Sequence, residues 1–179
     1  MKTRNLVLTG IMAALLTICA WISIPTAVPF TLQTMGVFLA VGLLGGKLGS
    51  LAVGVYLLLG AVGLPVFSHF TGGIGALVGT TGGYLLGFLL IALVMWAAEA
   101  LLGKGPLVYL VSAVVGLAVC YLFGSVWYLY LYSAGGASAD MLTVLGWCVF
   151  PFIVPDLIKL ALAFALSRRL APALSRQRT

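Results

Sequence analysis

Asp156 and Lys159 stand three residues apart in the otherwise apolar stretch Ile153-Val-Pro-Asp-Leu-Ile-Lys-Leu160. On a helix this spacing sets both side chains on one face, where an accepting carboxylate and a donating ammonium can share one polar ligand. The chain is 63% hydrophobic and only 7% charged. At membrane depth a charge costs on the order of 3 kcal/mol on insertion scales, so charges there are rare and mark functional sites. The competing reading is an ion pair that only holds helices together. The pair is assigned to a binding site inside a membrane protein.

Other chemistry is thinly supplied. There are three carboxylates and one histidine in 179 residues, too few for acid–base or metal catalysis to be expected. His69, alone in an outer loop, is expected to be a plain loop residue, and Glu99 structural or interfacial. Cys19, Cys120 and Cys148 lack CxxC or Cys/His spacing and are expected as small core residues, with no metal site and no disulfide framework. Lys47 and Lys104 follow Gly but precede Leu and Gly, so no phosphate loop of the form Gly-x-x-x-x-Gly-Lys-Ser/Thr is formed. No enzyme and no cofactor is expected.

The elements that position the pair are read from hydropathy. A bilayer-crossing helix needs about 20 apolar residues, with ~17 as the lower limit. Leu6 to Ile24, Leu48 to Leu64, Tyr84 to Leu102 and Leu107 to Tyr132 satisfy this, with Phe152 to Leu170 as the last candidate. Met35 to Gly45 is shorter and Gly-rich, and reads as a compact or tilted span. The expected fold is an all-α integral membrane protein, a compact bundle of six transmembrane helices forming one domain over residues 1–179.

The net charge of +6 reads as orientation rather than affinity for nucleic acid. Lys2, Arg4, Lys47, Lys104, Arg168, Arg169, Arg176 and Arg178 all fall on one side of six spans, whereas the opposite loops, roughly 25–34, 65–82 and 133–140, carry no Lys or Arg. Excess positive charge marks the cytoplasmic side, which puts both termini there in a multi-pass cell-membrane protein. The Lys2/Arg4 start resembles a secretory signal, but further spans follow and no clear small-residue cleavage site does. It reads as an uncleaved first helix.

Those outer loops hold further candidate contacts. Pro25 and Pro29 block helix ahead of polar Thr31, Gln33 and Thr34; Thr31 and Gln33 are taken as ligand contacts. The Gly/Thr-rich run Gly79-Thr-Thr-Gly-Gly-Tyr84 opens a helix with N–H donors that suit an anion, which makes Gly82, Gly83 and Tyr84 candidates. Helix rise puts Asp156 ~20 Å from Arg169, in the outer third of a core ~30 Å thick, beneath these loops. Pro151 and Pro155 are expected to break regular helix just before it. Among Trp127, Tyr128, Tyr130, Tyr132 and Trp147, an expected interfacial belt, Trp127 is best placed to line a cavity. On the first helix Gly10/Ala14 and Ala13/Thr17 make a smooth face for packing in the bundle or docking another membrane protein.

Taken in order, several stretches resemble the BioY family, the biotin-binding S-component of energy-coupling-factor vitamin transporters. They are Val28-Pro-Phe-Thr-Leu-Gln-Thr-Met-Gly36, Tyr56-Leu-Leu-Leu-Gly-Ala-Val-Gly-Leu-Pro-Val-Phe67, Thr81-Gly-Gly-Tyr-Leu-Leu-Gly-Phe88 and Pro151-Phe-Ile-Val-Pro-Asp-Leu-Ile-Lys159. The resemblance implies a six-helix membrane protein that captures biotin from outside, with a transmembrane coupling (T) component and a pair of ATPase (A) subunits as partners. It departs from the family in having Pro155 where Gly usually precedes the Asp, and Gly10/Ala14 and Ala13/Thr17 in place of an Ala-x-x-x-Ala docking motif.

Biotin suits the residue chemistry. Its ureido ring has two N–H donors and a carbonyl that a carboxylate and an ammonium satisfy together, and its carboxylate needs N–H or cationic donors such as the helix start at Gly82. The reverse assignment, Lys159 on the carboxylate, is equally sensible. Two other classes remain: a self-sufficient secondary transporter with Asp156 carrying protons, and an assembly protein whose ion pair is structural.

Overall fold

The computed structural model describes residues 3–25, 28–136 and 138–176, with side chains as far as Pro172. Lys2, Arg178 and Ala137, the last of these in an expected outer loop, lie outside the described residues. The order is α1 (Thr3–Trp21), β1 (Ser23–Ile24), β2 (Phe30–Thr31), α2 (Gln33–Leu44), α3 (Gly46–Ala61), α4 (Ile74–Val78), α5 (Gly82–Leu102), α6 (Pro106–Ala134), α7 (Met141–Cys148) and α8 (Phe150–Arg176). Four helices, α1, α5, α6 and α8, are long and apolar enough to cross a membrane. α2 and α3 are apolar but run only 12 and 16 residues.

Breakers in the sequence set these boundaries. Pro25 and Pro29 bound the connection between β1 and β2, which pair as an antiparallel hairpin with Ser23 opposite Thr31 and Ile24 opposite Phe30. Helix resumes at Gln33, earlier than expected, so Gln33 and Thr34 sit on the first turn of α2 and face inward. Gly45 alone separates α2 from α3. Its φ of 83° lies in the left-handed region that a Cβ makes costly. The N-terminus of α3 is held by Glu99, whose Oε2 accepts from the Gly46 N–H at 2.7 Å while Oε1 pairs with Lys104 at 3.2 Å. That is the structural role expected of Glu99.

The expectation that Pro151 and Pro155 break helix is corrected. The break falls at Val149 (φ −126°, ψ −57°), between α7 and α8, and α8 runs regularly from Phe150 through Pro155. Pro151 lies in the first turn, where backbone N–H groups have no helical partner anyway. Pro155 forgoes one bond, to the Pro151 carbonyl, near the helix end where that loss is tolerated. Asp156 and Lys159 therefore stand on continuous helix.

Small residues let the backbones close in, as packing in lipid requires. α5 and α6 lie along one another; a Cβ on Gly116 would come within 3.0 Å of the Ile91 backbone, and Gly124 lies directly under the Tyr84 ring. α8 packs on α2, where Gly42 abuts Ser167. The core between them holds Phe38, Tyr56, Phe67, Ile91 and Met95, all essentially buried. The outer surface is strongly apolar: Leu58, Val62, Leu101, Leu107, Leu122 and Ile158 are each more than half exposed. Burying these against lipid tails instead of water is favourable, which suits a membrane bundle.

The smooth face of α1 divides in two. Gly10 and Ala14 face outward among exposed Leu6, Val7, Ile11 and Ile18, with nothing within 4 Å of a Cβ on Gly10. Ala13 and Thr17 are buried, and Thr17 Oγ1 donates back to the Ala13 carbonyl at 3.1 Å. As docking contacts Ala13 and Thr17 are therefore corrected: they pack inside the bundle.

Candidate functional site

Asp156 and Lys159, at 2% and 5% relative exposure, are the centre of a buried polar cluster. Lys159 Nζ lies 2.8 Å from Asp156 Oδ1. The same oxygen accepts from Thr34 Oγ1 at 2.8 Å, and Oδ2 accepts from the Tyr121 hydroxyl at 2.6 Å. One carboxylate thus gathers donors from α2, α6 and its own helix. A charge can stay buried only when its lone pairs are met in this way. Lys159 also sits 4.2 Å from the centroid of the Phe30 ring, a cation–π contact, and Phe30 packs on Phe152 at 5.7 Å between centroids.

The cluster borders a small cavity of about 40 Å³, walled by Val28, Pro29 and Thr31 from the hairpin, Tyr84 and Phe88 from α5, Cys120 and Tyr121 from α6, Cys148 from α7, and Phe152. Pockets for small molecules usually measure ~300 Å³ or more, well above the volume enclosed here. The hairpin residues Val28–Thr31 form one wall, joining the polar pair to the loop above it. Its chemistry is a carboxylate and an ammonium at one end of an aromatic-lined space. That suits a ligand with N–H donors, a carbonyl and an apolar body.

Of the residues expected here, Asp156, Lys159, Thr31 and Tyr84 line the cavity, whereas Gln33, Gly82, Gly83 and Trp127 do not. Gln33 is one bond away: its Oε1 accepts from Thr31 Oγ1 at 2.9 Å and its Nε2 donates to Tyr56 at 2.6 Å, tying the hairpin to α3. The N–H of Gly82 already donates to the Gly79 carbonyl at 2.9 Å, and a Cβ there would collide with the Leu77 carbonyl, so it works as a tight turn. Gly83 is packed under Trp127, whose indole N–H donates to Gly79 O at 2.9 Å. Trp127 fastens the turn before α5 onto α6.

Thr34, Tyr121, Phe30 and Phe152 were missed by sequence reasoning as contacts. Tyr121 did leave a signal, since it stands near the middle of the 29-residue α6. Tyrosines in membrane helices favour the interfaces, and a hydroxyl at mid-span needs a partner.

A second cavity, about 710 Å³, opens at the basic end of the bundle. Its lining on α8 begins at Phe164, about 12 Å along the helix from Asp156. Cys19, Cys120 and Cys148 are buried and unpaired.

Comparisons with known proteins agree with this architecture. The biotin transporter BioY of Thermotoga maritima is 46% identical over 168 residues, covering 93% of this chain and 95% of that protein. The probable biotin transporter BioY of Pyrococcus horikoshii is 40% identical, covering 95% and 98%. The crystal structure of the S-component for biotin from an ECF-type ABC transporter superposes with a TM-score of 0.83 at 29% identity, covering 94% of this chain and 91% of that one. The model of the BioY family matches residues 1–176. This chain is a multi-pass membrane protein that belongs to the BioY family.

Proposed function

We propose that the chain captures biotin at the Asp156–Lys159 cluster and serves as the substrate-binding S-component of an ECF-type ABC transporter in the cell membrane. The observation that carries this is the buried carboxylate of Asp156, which accepts from Lys159, Thr34 and Tyr121 beside an aromatic-lined cavity. Names of relatives across nearly the whole chain support the same substrate. Asp156, an acceptor only, takes the ureido N–H groups in place of its present hydroxyl donors, and Lys159 reaches the ureido carbonyl from the same end. Phe30, Phe88 and Phe152 pack the apolar body. The hairpin wall moves to enlarge the cavity as ligand enters.

The coupling component and the ATPases would be the source of energy. In the orientation read from charge, six helices, α1, α2, α3, α5, α6 and α8, span the membrane with both termini inside. The short α2 and α3 cross as a pair turned at Gly45. The test is binding of labelled biotin to the purified full chain, with Asp156→Asn as the control. Saturable binding lost in the variant is expected. Binding that is absent, or unchanged in the variant, would sink the proposal.

A further inference from the structure

Tyr56 of α3 is fully buried and does not line the cavity beside Asp156. Its hydroxyl nevertheless starts a chain of hydrogen bonds that ends in the cavity wall. Gln33 Nε2 donates to it at 2.6 Å, and Gln33 Oε1 accepts from Thr31 Oγ1 at 2.9 Å. The same Thr31 oxygen accepts from the Gln33 backbone N–H at 3.2 Å. Leu32, at the N-cap position of α2, offers no side-chain cap, so Thr31 satisfies an N–H of the first turn that has no helical partner.

Buried polar groups need partners wherever they lie, and what distinguishes this chain is the place it reaches. On β2, Phe30 precedes Thr31 and lies 4.2 Å from Lys159 Nζ. On α2, Thr34 follows Gln33 and donates to Asp156 Oδ1 at 2.8 Å. Each member of the charged pair is thus touched by a sequence neighbour of a tied residue. The anchor is firmly held. The Tyr56 ring meets Phe67 edge to face at 5.5 Å between centroids. Phe67 in turn sits directly on Gly60, one turn further along α3, where a Cβ would overlap its ring. A satisfied buried network joined to such an anchor rigidifies what it holds.

We propose that Tyr56 is a positioning residue of the biotin site: acting through Gln33 and Thr31, it holds β2 and the first turn of α2 so that Phe30 stays against Lys159 and Thr34 against Asp156. This role rests on the assignment of the cluster to biotin. Preorganisation of this kind strengthens binding, and such differences appear mainly in the rate of release.

The experiment loads the full chain in detergent with labelled biotin and follows release into excess unlabelled biotin, so that only binding-competent molecules are read. Tyr56→Phe keeps the ring on Phe67 and deletes the hydroxyl. It should release biotin roughly three- to tenfold faster, with association changed by less than about twofold. Thr31→Val should do the same, whereas Thr31→Ser, which keeps the hydroxyl, should release at the wild-type rate. Both deletions cut one chain, so the Tyr56→Phe/Thr31→Val double variant should release far more slowly than the product of the single effects predicts. Tyr109→Phe, which deletes a phenol bonded to the Phe38 carbonyl, should release like wild type. A hydroxyl that served stability alone would lower the melting temperature and the loaded fraction without changing release. If Tyr56→Phe yields no folded protein, Gln33→Met, which breaks the chain one residue nearer the site, takes its place with the same expectation. Wild-type release from Tyr56→Phe or its replacement, equal effects of Thr31→Val and Thr31→Ser, or a fully multiplicative double variant would overturn the proposal. Wild-type protein that retains no biotin would overturn the biotin assignment and this role together, whereas retention with unchanged variants overturns this role alone.

Discussion

Tyr121 of α6 donates to Asp156 of α8 across 2.6 Å, and further along the same two helices Tyr109 packs on Phe164 at 5.6 Å between ring centroids. Together with Thr34, the Tyr121 bond makes one carboxylate the joint between α2, α6 and α8. Oδ2 keeps one lone pair beyond the Tyr121 bond, so the second of two ligand N–H groups on Asp156 displaces a hydroxyl from α2 or α6. Binding is therefore coupled to how these helices and the attached hairpin sit. Removing the joint without removing the charge should affect ligand exchange as well as affinity.

Asp156→Asn and Lys159→Ala should each weaken biotin binding at least roughly tenfold, because a hydrogen bond to a charged group contributes ~1.5–3 kcal/mol. Both variants should still elute as folded protein from detergent. Equilibrium binding of labelled biotin measures the effect. Wild-type affinity in either variant would make the pair a structural tie, with the site elsewhere.

Tyr121→Phe keeps the ring and deletes the bond to Asp156. It should cost less than Asp156→Asn, a few-fold in affinity, because a ligand N–H can fill the vacated lone pair. Stopped-flow measurement of binding should detect faster association as the hydroxyl no longer competes. A Tyr121→Phe variant as damaged as Asp156→Asn in equilibrium binding would show that the phenol itself contacts biotin.

Lys159 is the residue whose partner on biotin can be read with an analogue. Biotinamide lacks the carboxylate charge but keeps the ureido ring. If Lys159 meets the ureido carbonyl, Lys159→Ala should weaken biotin and biotinamide by the same factor. A penalty confined to biotin would put Lys159 on the carboxylate end.

Much of this was legible because membrane burial leaves few polar residues unexplained. An Asp and a Lys three apart in apolar sequence announce their own pairing, and the observed 2.8 Å contact follows from helix spacing. The long apolar stretches gave α1, α5, α6 and α8 to within a few residues. What escaped was tertiary. Nothing local says that the hydroxyls of Thr34 and Tyr121, 122 and 35 residues from Asp156, converge on it. In the Gly82-Gly83 run glycine can serve ligand approach and helix packing equally, and the neighbours that a Cβ would meet there are Leu77 and Trp127. Prolines near the start of α8 misled for a similar reason, since the first turn tolerates what a helix centre does not.

Orientation rests on charge and can be read independently of the family. Thiol reagents applied from outside should label a cysteine placed at Ser68 and should miss cysteines placed at Lys47, Lys104 or Arg176. Labelling of Lys104 from outside would overturn the six-span arrangement, because the argument depends on the parity of the helices.

Energy must come from elsewhere if no phosphate loop is present. The purified chain should not hydrolyse ATP, and concentrative uptake should require partner subunits. Uptake into vesicles holding this chain alone, driven by a proton gradient, would favour a secondary transporter instead. For docking, the exposed half of the α1 face is the candidate, as Gly10 and Ala14 lie outside the bundle while Ala13 and Thr17 are within it. A bulky side chain at Ala14 should keep a partner helix from approaching closely. Ala14→Trp should therefore abolish partner pull-down and ATP-driven uptake and leave biotin binding intact. Ala13→Trp, forced into a site 1% exposed, should instead destabilise the bundle, since overpacking a filled core costs ~1–3 kcal/mol or more. Normal uptake by Ala14→Trp would move the docking surface to another helix, and loss of biotin binding in that variant would mean that Ala14 faces inward.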